Sequence, residues 1–408
     1  MQMKSAALLA SLLLPAVLTA QYTPPDSAKP KPDTVKRDSV KPAPNPAPNP
    51  ALAATPINFS GVLFANYQYH GEAANRAQNR FELERVHLTF RMPAGDRVLF
   101  RITTDVFQQT SSTNNADAYY RGWVVRAKYA YLQYDYLQAK TPADWAAFAR
   151  MGLVFTAFIE HEENFWPRWL STVPVERAGY FLPGDGGVST LVTFPNKYGE
   201  LYAGITNGGG FTSRETDRFK DYQARVTFTP LGKSDVTYLR TLAVDGWVYR
   251  GATASKFVTG GAGQVGAVGS GLDRNRWGLF AGIRDPRLVV GLDYAQRMEQ
   301  GEGSSLNTPA SPRTVIDTTG TLMSAYAVVR PFQMADAKST FPLGIVGRFD
   351  HVKPNTSRDG HYNIVIAGLI WDLSKRSSIS LDYQEQTPKN SPGIVPTRVY
   401  YLHAVANF

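Results

Sequence analysis

The feature that most limits what this chain can fold into is a period of two that starts at Ile57 and runs to the last residue, Phe408. In INFSGVLFANYQYH, Ile57, Phe59, Gly61, Leu63, Ala65, Tyr67 and Tyr69 are apolar or aromatic, and Asn58, Ser60, Asn66, Gln68 and His70 fall between them. Residues two apart share a face of an extended strand, so the segment predicts a strand with one greasy and one wet side. RVHLTFRM and RVLFRITTDV repeat this, setting Val86, Leu88, Phe90, Val98, Phe100 and Ile102 against Arg85, His87, Arg91, Arg97, Arg101 and Asp105. YQARVTF, RWGLFAGI, RLVVGLDYAQR, LGIVGRFD and SISLDYQ continue it.

Alternation alone suits a soluble sandwich as well as a membrane barrel, and the joints between strands discriminate. Those after the second, fourth, eighth, tenth and fourteenth strands are tight: PAGD at 93–96, QAKTPAD at 138–144, TPLGKSD at 229–235, RDP at 284–286 and DLSKRSS at 372–378. The alternate joints are long and polar, among them QTSSTNNADAYYRG, NGGGFTSRETDRFK, the Gly-rich TGGAGQVGAVGSG and EQGEGSSLNTPASPRTVIDT. One rim of short turns and one of long loops marks an outer-membrane barrel. The expected fold is an all-β, transmembrane antiparallel barrel of about 16 strands over residues 57–408. The closing RVYYLHAVANF, which ends in mid-strand on an aromatic, then has a reason: the last strand must seal against the first. Two stretches fit less well. Between Val124 and Tyr136 the apolar set changes phase, which predicts a bulge, and the expected strands Thr237 to Leu242 and Thr321 to Arg330 lack a clean wet face.

The front of the chain is of another kind. Residues 1–20, with Lys4 ahead of an apolar run and Leu18-Thr19-Ala20 at a plausible cut, read as a secretory signal peptide. Residues 21–56 read as a disordered Pro-rich periplasmic segment, since KPKPDTVKRDSVKPAPNPAPNP has too few large apolar groups to bury. Residues 22–55 could contact the cell wall or serve only as a linker. Zero cysteines exclude disulfides and thiolate metal sites. Aromatics at 12%, with 21 Tyr, suit interfacial belts.

At several points the chain resembles the phosphate-selective porin O and P family of bacterial outer membranes. The likeness rests on RFELERVHLTFRMPAGDRVLFRITTD, RMGLVF, ERAGYF, GITNGGG followed by KDYQARVTFTPLG, and LIWDLSKRSSISLDY with the final aromatic. Its most informative part is Asn207 and Gly208 followed by Asp221, Ala224, Arg225, Val226 and Pro230, a pattern that speaks for the fold more than for phosphate. The resemblance implies a sixteen-stranded diffusion channel, commonly a homotrimer, whose Arg- and Lys-lined path favours small anions, and a loop after the fifth strand that folds inward and narrows it. No binding residue of the family is carried over.

The alternation itself puts Arg85, His87, Arg91, Arg97, Arg101, Arg225, Arg274, Arg276, Arg297 and Arg348 on the inward face. Each is expected to line the lumen, or else to sit at a rim or pair with an acid such as Asp105, Asp293, Asp350 or Asp382. In the long loop from about Glu160 to Gly187, Glu160, His161, Arg168 and Arg177 are the constriction candidates, while Phe165, Trp166 and Trp169 pack the loop on the wall. The run Glu160, His161, Glu162, Glu163 lacks the H-E-x-x-H spacing and reads as an acidic helix start, so no metal and no cofactor is expected. The first 56 residues hold six basic and three acidic groups, leaving 37 basic against 31 acidic in the barrel, a bias toward anions. Basic residues dispersed over alternating strands make a poor nucleic-acid surface. The expected role is passive diffusion of small hydrophilic solutes across the outer membrane, in contact with its lipid. The alternatives are a structural anchor to the cell wall or a barrel enzyme, against which the absence of G-x-S-x-G counts.

Overall fold

In the computed structural model the described residues are 57–72, 79–108, 122–254, 271–304 and 313–408; the expected signal peptide and Pro-rich segment lie outside them. Strands of 8 to 17 residues follow one another around a closed barrel in chain order, each antiparallel to its neighbours. They are β1 (Asn58–His70), β2 (Asn79–Pro93), β3 (Val98–Gln108), β4 (Trp123–Leu137), β5 (Ala146–Phe155), β6 (Gly184–Thr193), β7 (Gly199–Thr206) and β8 (Asp221–Phe228). The second half comprises β9 (Ala243–Ala254), β10 (Gly271–Arg284), β11 (Leu288–Ser304), β12 (Arg313–Val329), β13 (Leu343–Lys353), β14 (His361–Ser374), β15 (Ser377–Lys389) and β16 (Thr397–Asn407). The sixteen-strand expectation holds.

Closure uses both ends of the pattern. β16 pairs with β1 from Val62 opposite Asn407 to His70 opposite Val399, and Gly61 and Phe408 exchange backbone hydrogen bonds of 2.8 and 3.0 Å. The Phe408 ring lies over Gly61 where a Cβ would stand, so the small residue makes room for the terminal aromatic. With every edge paired, no strand is left to solvent or lipid. Outward positions are apolar, as in Leu132, Met151, Leu292, Met323 and Leu381. At the short-turn rim, Phe59 meets Phe90 and Phe408, Trp145 meets Phe194, and Phe341 meets Phe332 and Trp371. At the other rim Tyr400 lies between Tyr69 and Tyr383. These two rims match the aromatic girdles of outer-membrane barrels.

The rims are less uneven than the sequence suggests. Residues 94–97, 138–145, 194–198, 285–287 and 375–376 are short joints, but 229–242 and 330–342 on the same rim are longer and carry a 3-10 turn (Leu239–Thr241) and a short helix (Pro331–Ala335). The stretch Thr237 to Leu242 is therefore not a strand. EQGEGSSLNTPASPRTVIDT is mostly strand: β11 reaches Ser304 and β12 starts at Arg313, longer than the roughly 9–11 residues a bilayer crossing needs, so both project beyond it. Most of QTSSTNNADAYYRG and of the Gly-rich stretch lies outside the described residues.

The phase change in β4 is the predicted bulge. Thr103 pairs with Tyr129 and Thr104 with Ala127, so Lys128 is the extra residue. Val125 and Ala127 face out before it, Leu132, Tyr134 and Tyr136 after it, and Tyr129 and Tyr131 turn inward and are buried.

The interior is drier than the alternation predicts. Residues 156–183 fold into the barrel and carry two short helices, α1 (Ile159–Glu162) and α2 (Pro174–Arg177). Phe158, Ile159, Phe165, Trp166, Leu170, Val173, Val175, Tyr180 and Phe181 are buried against inward residues of β9 to β14, among them Trp247, Phe280, Leu322, Tyr326, Val346 and Ile366. Thr321 to Arg330 lacks a wet face because Leu322, Tyr326 and Val328 meet this loop and Met323 meets the lipid side.

Candidate functional site: the lumen beside the inner loop

The loop leaves the opposite wall free. A cavity of about 1190 Å³ runs beside it, bounded by Ser60, Phe64, His87, Thr89, Arg101, Thr103, Lys128 and Phe155 on the wall and by Glu160, Glu163, Arg168 and Trp169 on the loop. It opens among the short-turn residues Arg330, Ser339, Lys375 and Arg376.

The basic residues on this wall fall into two kinds. Arg85 and Arg126 both bind the buried Asp105, at 2.9 and 2.8 Å, and His87 stands 3.3 Å from the same carboxylate. Arg91, Arg101 and Lys128 have no carboxylate within ion-pair distance among the described residues. Arg101 donates to Thr103 (3.1 Å) and Tyr131 (3.4 Å) and lies 4.8 Å from the Phe155 ring; Arg91 reaches only Ser60, at 3.5 Å. Arg91 and Arg101 are directly opposed across the β2–β3 ladder. Like charges in that position oppose folding. Lys128 joins them because the β4 bulge turns it inward, its ammonium 5.3 Å from the Tyr129 ring.

Facing them, the loop presents acid. Glu160 stands 3.7 Å from Arg150 of β5. Arg168 is clasped by Glu163 and, through two hydrogen bonds, by Glu176. Burial works against the Arg168 charge, yet those two carboxylates hold the guanidinium above its ordinary value. Arg177 donates to Ser171 at 2.9 Å and Gln384 at 3.3 Å.

Several expected lining residues do other work. Arg225 donates to the carbonyl of Ala157 (2.8 Å) and to Glu200 (2.6 Å), Arg276 to the carbonyl of Tyr180, and Arg348 to that of Thr172 (2.6 Å) while gripping Asp350. All three tether the loop to the wall. Arg274 binds Asp221 at the long-loop rim, and Arg297 lies under Tyr180, 5.6 Å from its ring. Arg97 is exposed in the 94–97 turn. Of the acids expected as partners, Asp105 and Asp350 pair with arginine, Asp382 pairs with His403 at 2.8 Å, and Asp293 has no arginine. Phe165 packs edge-on to Phe280, Trp166 to Tyr326 and Trp169 to His403, so the three aromatics dock the loop as expected.

The motif from Asn207 to Pro230 is structural. Gly208, with φ of +94°, turns the chain out of β7, donates to Asp185 and accepts from Arg274, whose other nitrogen binds Asp221; Tyr249 donates to the same Asp221. The sequence reading does not single out Lys128, Arg126, Arg150 or Glu176, and takes Glu163 only as part of an acidic helix start. For Lys128 a signal existed, since the break in alternation marks the residue that changes face.

No protein-family profile matches the chain, and no curated protein sequence does. Solved structures share the fold. The anion-selective porin from Comamonas acidovorans aligns over 87% of this chain and 100% of its own, with a TM-score of 0.57 at 10% identity. OmpF of Salmonella typhi, solved with daunomycin, covers 88% and 99% at TM-score 0.55 and 9% identity. The trimer form of OmpT, an outer membrane protein of Vibrio cholerae, covers 87% and 100% at TM-score 0.53 and 9% identity. The chain thus has the closed barrel seen in bacterial outer-membrane porins.

Proposed function

We propose that the protein is an outer-membrane porin that lets small hydrophilic solutes diffuse passively and prefers anions. The observation that carries this reading is the pair Arg101 and Lys128 lining the cavity, with Arg91 opposite Arg101 on the neighbouring strand, three cations without a carboxylate partner among the described residues, where an oxyanion or chloride would exchange its hydration for charged donors. Phosphate is the finer candidate, consistent with the resemblance to the O and P porins, because two adjacent guanidiniums suit an anion with several oxygens. The secretory signal and the Pro-rich segment on the periplasmic side complete the reading, with a homotrimer as the assembly. An apolar groove of about 440 Å³ on the outer face, lined by Leu132, Tyr134, Met151, Val188 and Ile205, offers a place for subunit contact.

Planar-bilayer recording across a potassium chloride gradient tests it. An ohmic channel whose reversal potential lies toward chloride supports the proposal, and one lying toward potassium overturns the anion preference. Added phosphate should lower the chloride current at low concentration if the site binds it. A silent protein would favour the cell-wall anchor.

A further inference from the structure

α1 carries two side chains that the channel reading does not use, His161 and Glu162, and both are held in an unusual way. His161 lies between carboxylates on both sides: Nε2 is 3.0 Å from Asp245 of β9, and Nδ1 is 3.5 Å from Glu200 of β7. Both carboxylates are otherwise engaged, Glu200 with Arg225 of β8 and Asp245 with Thr227. A carboxylate only accepts, so both contacts are hydrogen bonds only when the imidazole carries two protons. The next residue, Glu162, is fully buried, and no donor reaches either of its oxygens. It faces Asp293 of β11, which is also buried with both oxygens unmet, and the unpartnered hydroxyl of Tyr326 of β12 lies in the same dry layer. The nearest guanidinium, Arg348 of β13, is taken by Asp350, by the Thr172 carbonyl and by the face of Trp166 at 4.9 Å. Two ionised carboxyls side by side in an apolar layer are not sustainable, and one proton shared between them is the least costly remedy.

We propose that the inner loop is fastened to the barrel wall by two latches on α1, the contacts of His161 with Asp245 and Glu200 and a proton shared by Glu162 and Asp293. The second makes the fastening proton-dependent. Rising pH removes the shared proton, which leaves two like charges facing each other. Burial, followed by the Asp293 charge, pushes the Glu162 carboxyl well above its ordinary range, so that latch holds through acid pH and fails on the alkaline side. Alkali therefore frees the loop and acid secures it.

The test uses the full chain in planar bilayers with symmetric potassium chloride and pH stepped from acid to alkaline. Open-channel noise from the freed loop should rise several-fold on the alkaline side in the wild type. Glu162→Gln and Asp293→Asn, whose amide donates at any pH to the remaining carboxylate, should each cut that rise. A wild type equally quiet throughout, or both variants rising like the wild type, overturns the proposal. So does a chelator that reproduces the rise at neutral pH, since a cation would then be the bridge. Limited proteolysis of detergent-solubilised protein at the same pH values gives a readout that does not need the porin reading: cleavage within 156–183 should appear only in alkali, and cleavage independent of pH counts against the latches.

Discussion

The two walls of this barrel obey one backbone rule and use it in opposite ways. Along β2 to β4 the inward positions are mostly polar, charged or Tyr, Asp105 among them, and His87, Thr89, Arg101, Thr103, Lys128 and Tyr129 face a cavity. Along β9 to β14 many inward positions are Trp, Tyr, Phe, Leu, Val and Ile, and they face the buried side of the inner loop. Charges occur on both, with different company. On the dry wall, Arg348 and Asp350 are fully buried and satisfy each other at 2.6 Å. On the wet wall, Arg91 and Arg101 stand opposed with no acid between them. A buried charge must be paired to be tolerated, whereas an unpaired one needs water or a counter-ion, and that difference sets Arg348 apart from Arg91 and Arg101.

The dry wall is where the largest losses are expected. Trp166→Ala removes a side chain that is 1% exposed and packed on Tyr326 and Arg348, and should cost about 3–5 kcal/mol, read as a lower thermal unfolding midpoint together with protease-sensitive loop bonds. Arg348→Leu alone strands the Asp350 carboxylate and should cost about 3–5 kcal/mol, while Arg348→Leu combined with Asp350→Leu should recover most of that loss. If the double variant is no better than the single one, the pair is not acting as a pair. On the wet wall the effect extends to selectivity: Lys128→Glu should shift the reversal potential toward the cation. Arg91→Gln sharpens the contrast, because it relieves a like-charge pair and should stabilise by about 0.2–1 kcal/mol while weakening anion preference. Arg97→Ala, at an exposed turn, should change neither. A selectivity change there would place the narrow zone at the short-turn rim.

Much of the architecture could be read before any coordinates. The strand number, the bulge near Lys128, the sealing role of Phe408, the inward loop after the fifth strand and the docking role of Phe165, Trp166 and Trp169 follow from period, phase and joint length, together with the porin resemblance. The site was less legible. Alternation says which face Arg225, Arg276 and Arg348 occupy but not what lies opposite, and what lies opposite is a loop whose carbonyls they bind. Thr237 to Leu242 carries apolar residues and still is not a strand, because pairing resumes only at Ala243, where β9 meets β8 and β10.

What the amino-acid order settled unaided is the choice of sides. A residue's parity along an extended backbone fixes lipid or interior through local geometry alone, and it holds wherever no bulge intervenes. Whether an interior residue meets water or a neighbour was decided only when residues 156–183 came to lie against β9 to β14, a contact between segments far apart in the chain. That contact made half of the inside dry and turned three arginines into fasteners. It left Arg91, Arg101 and Lys128 with no carboxylate partner among the described residues.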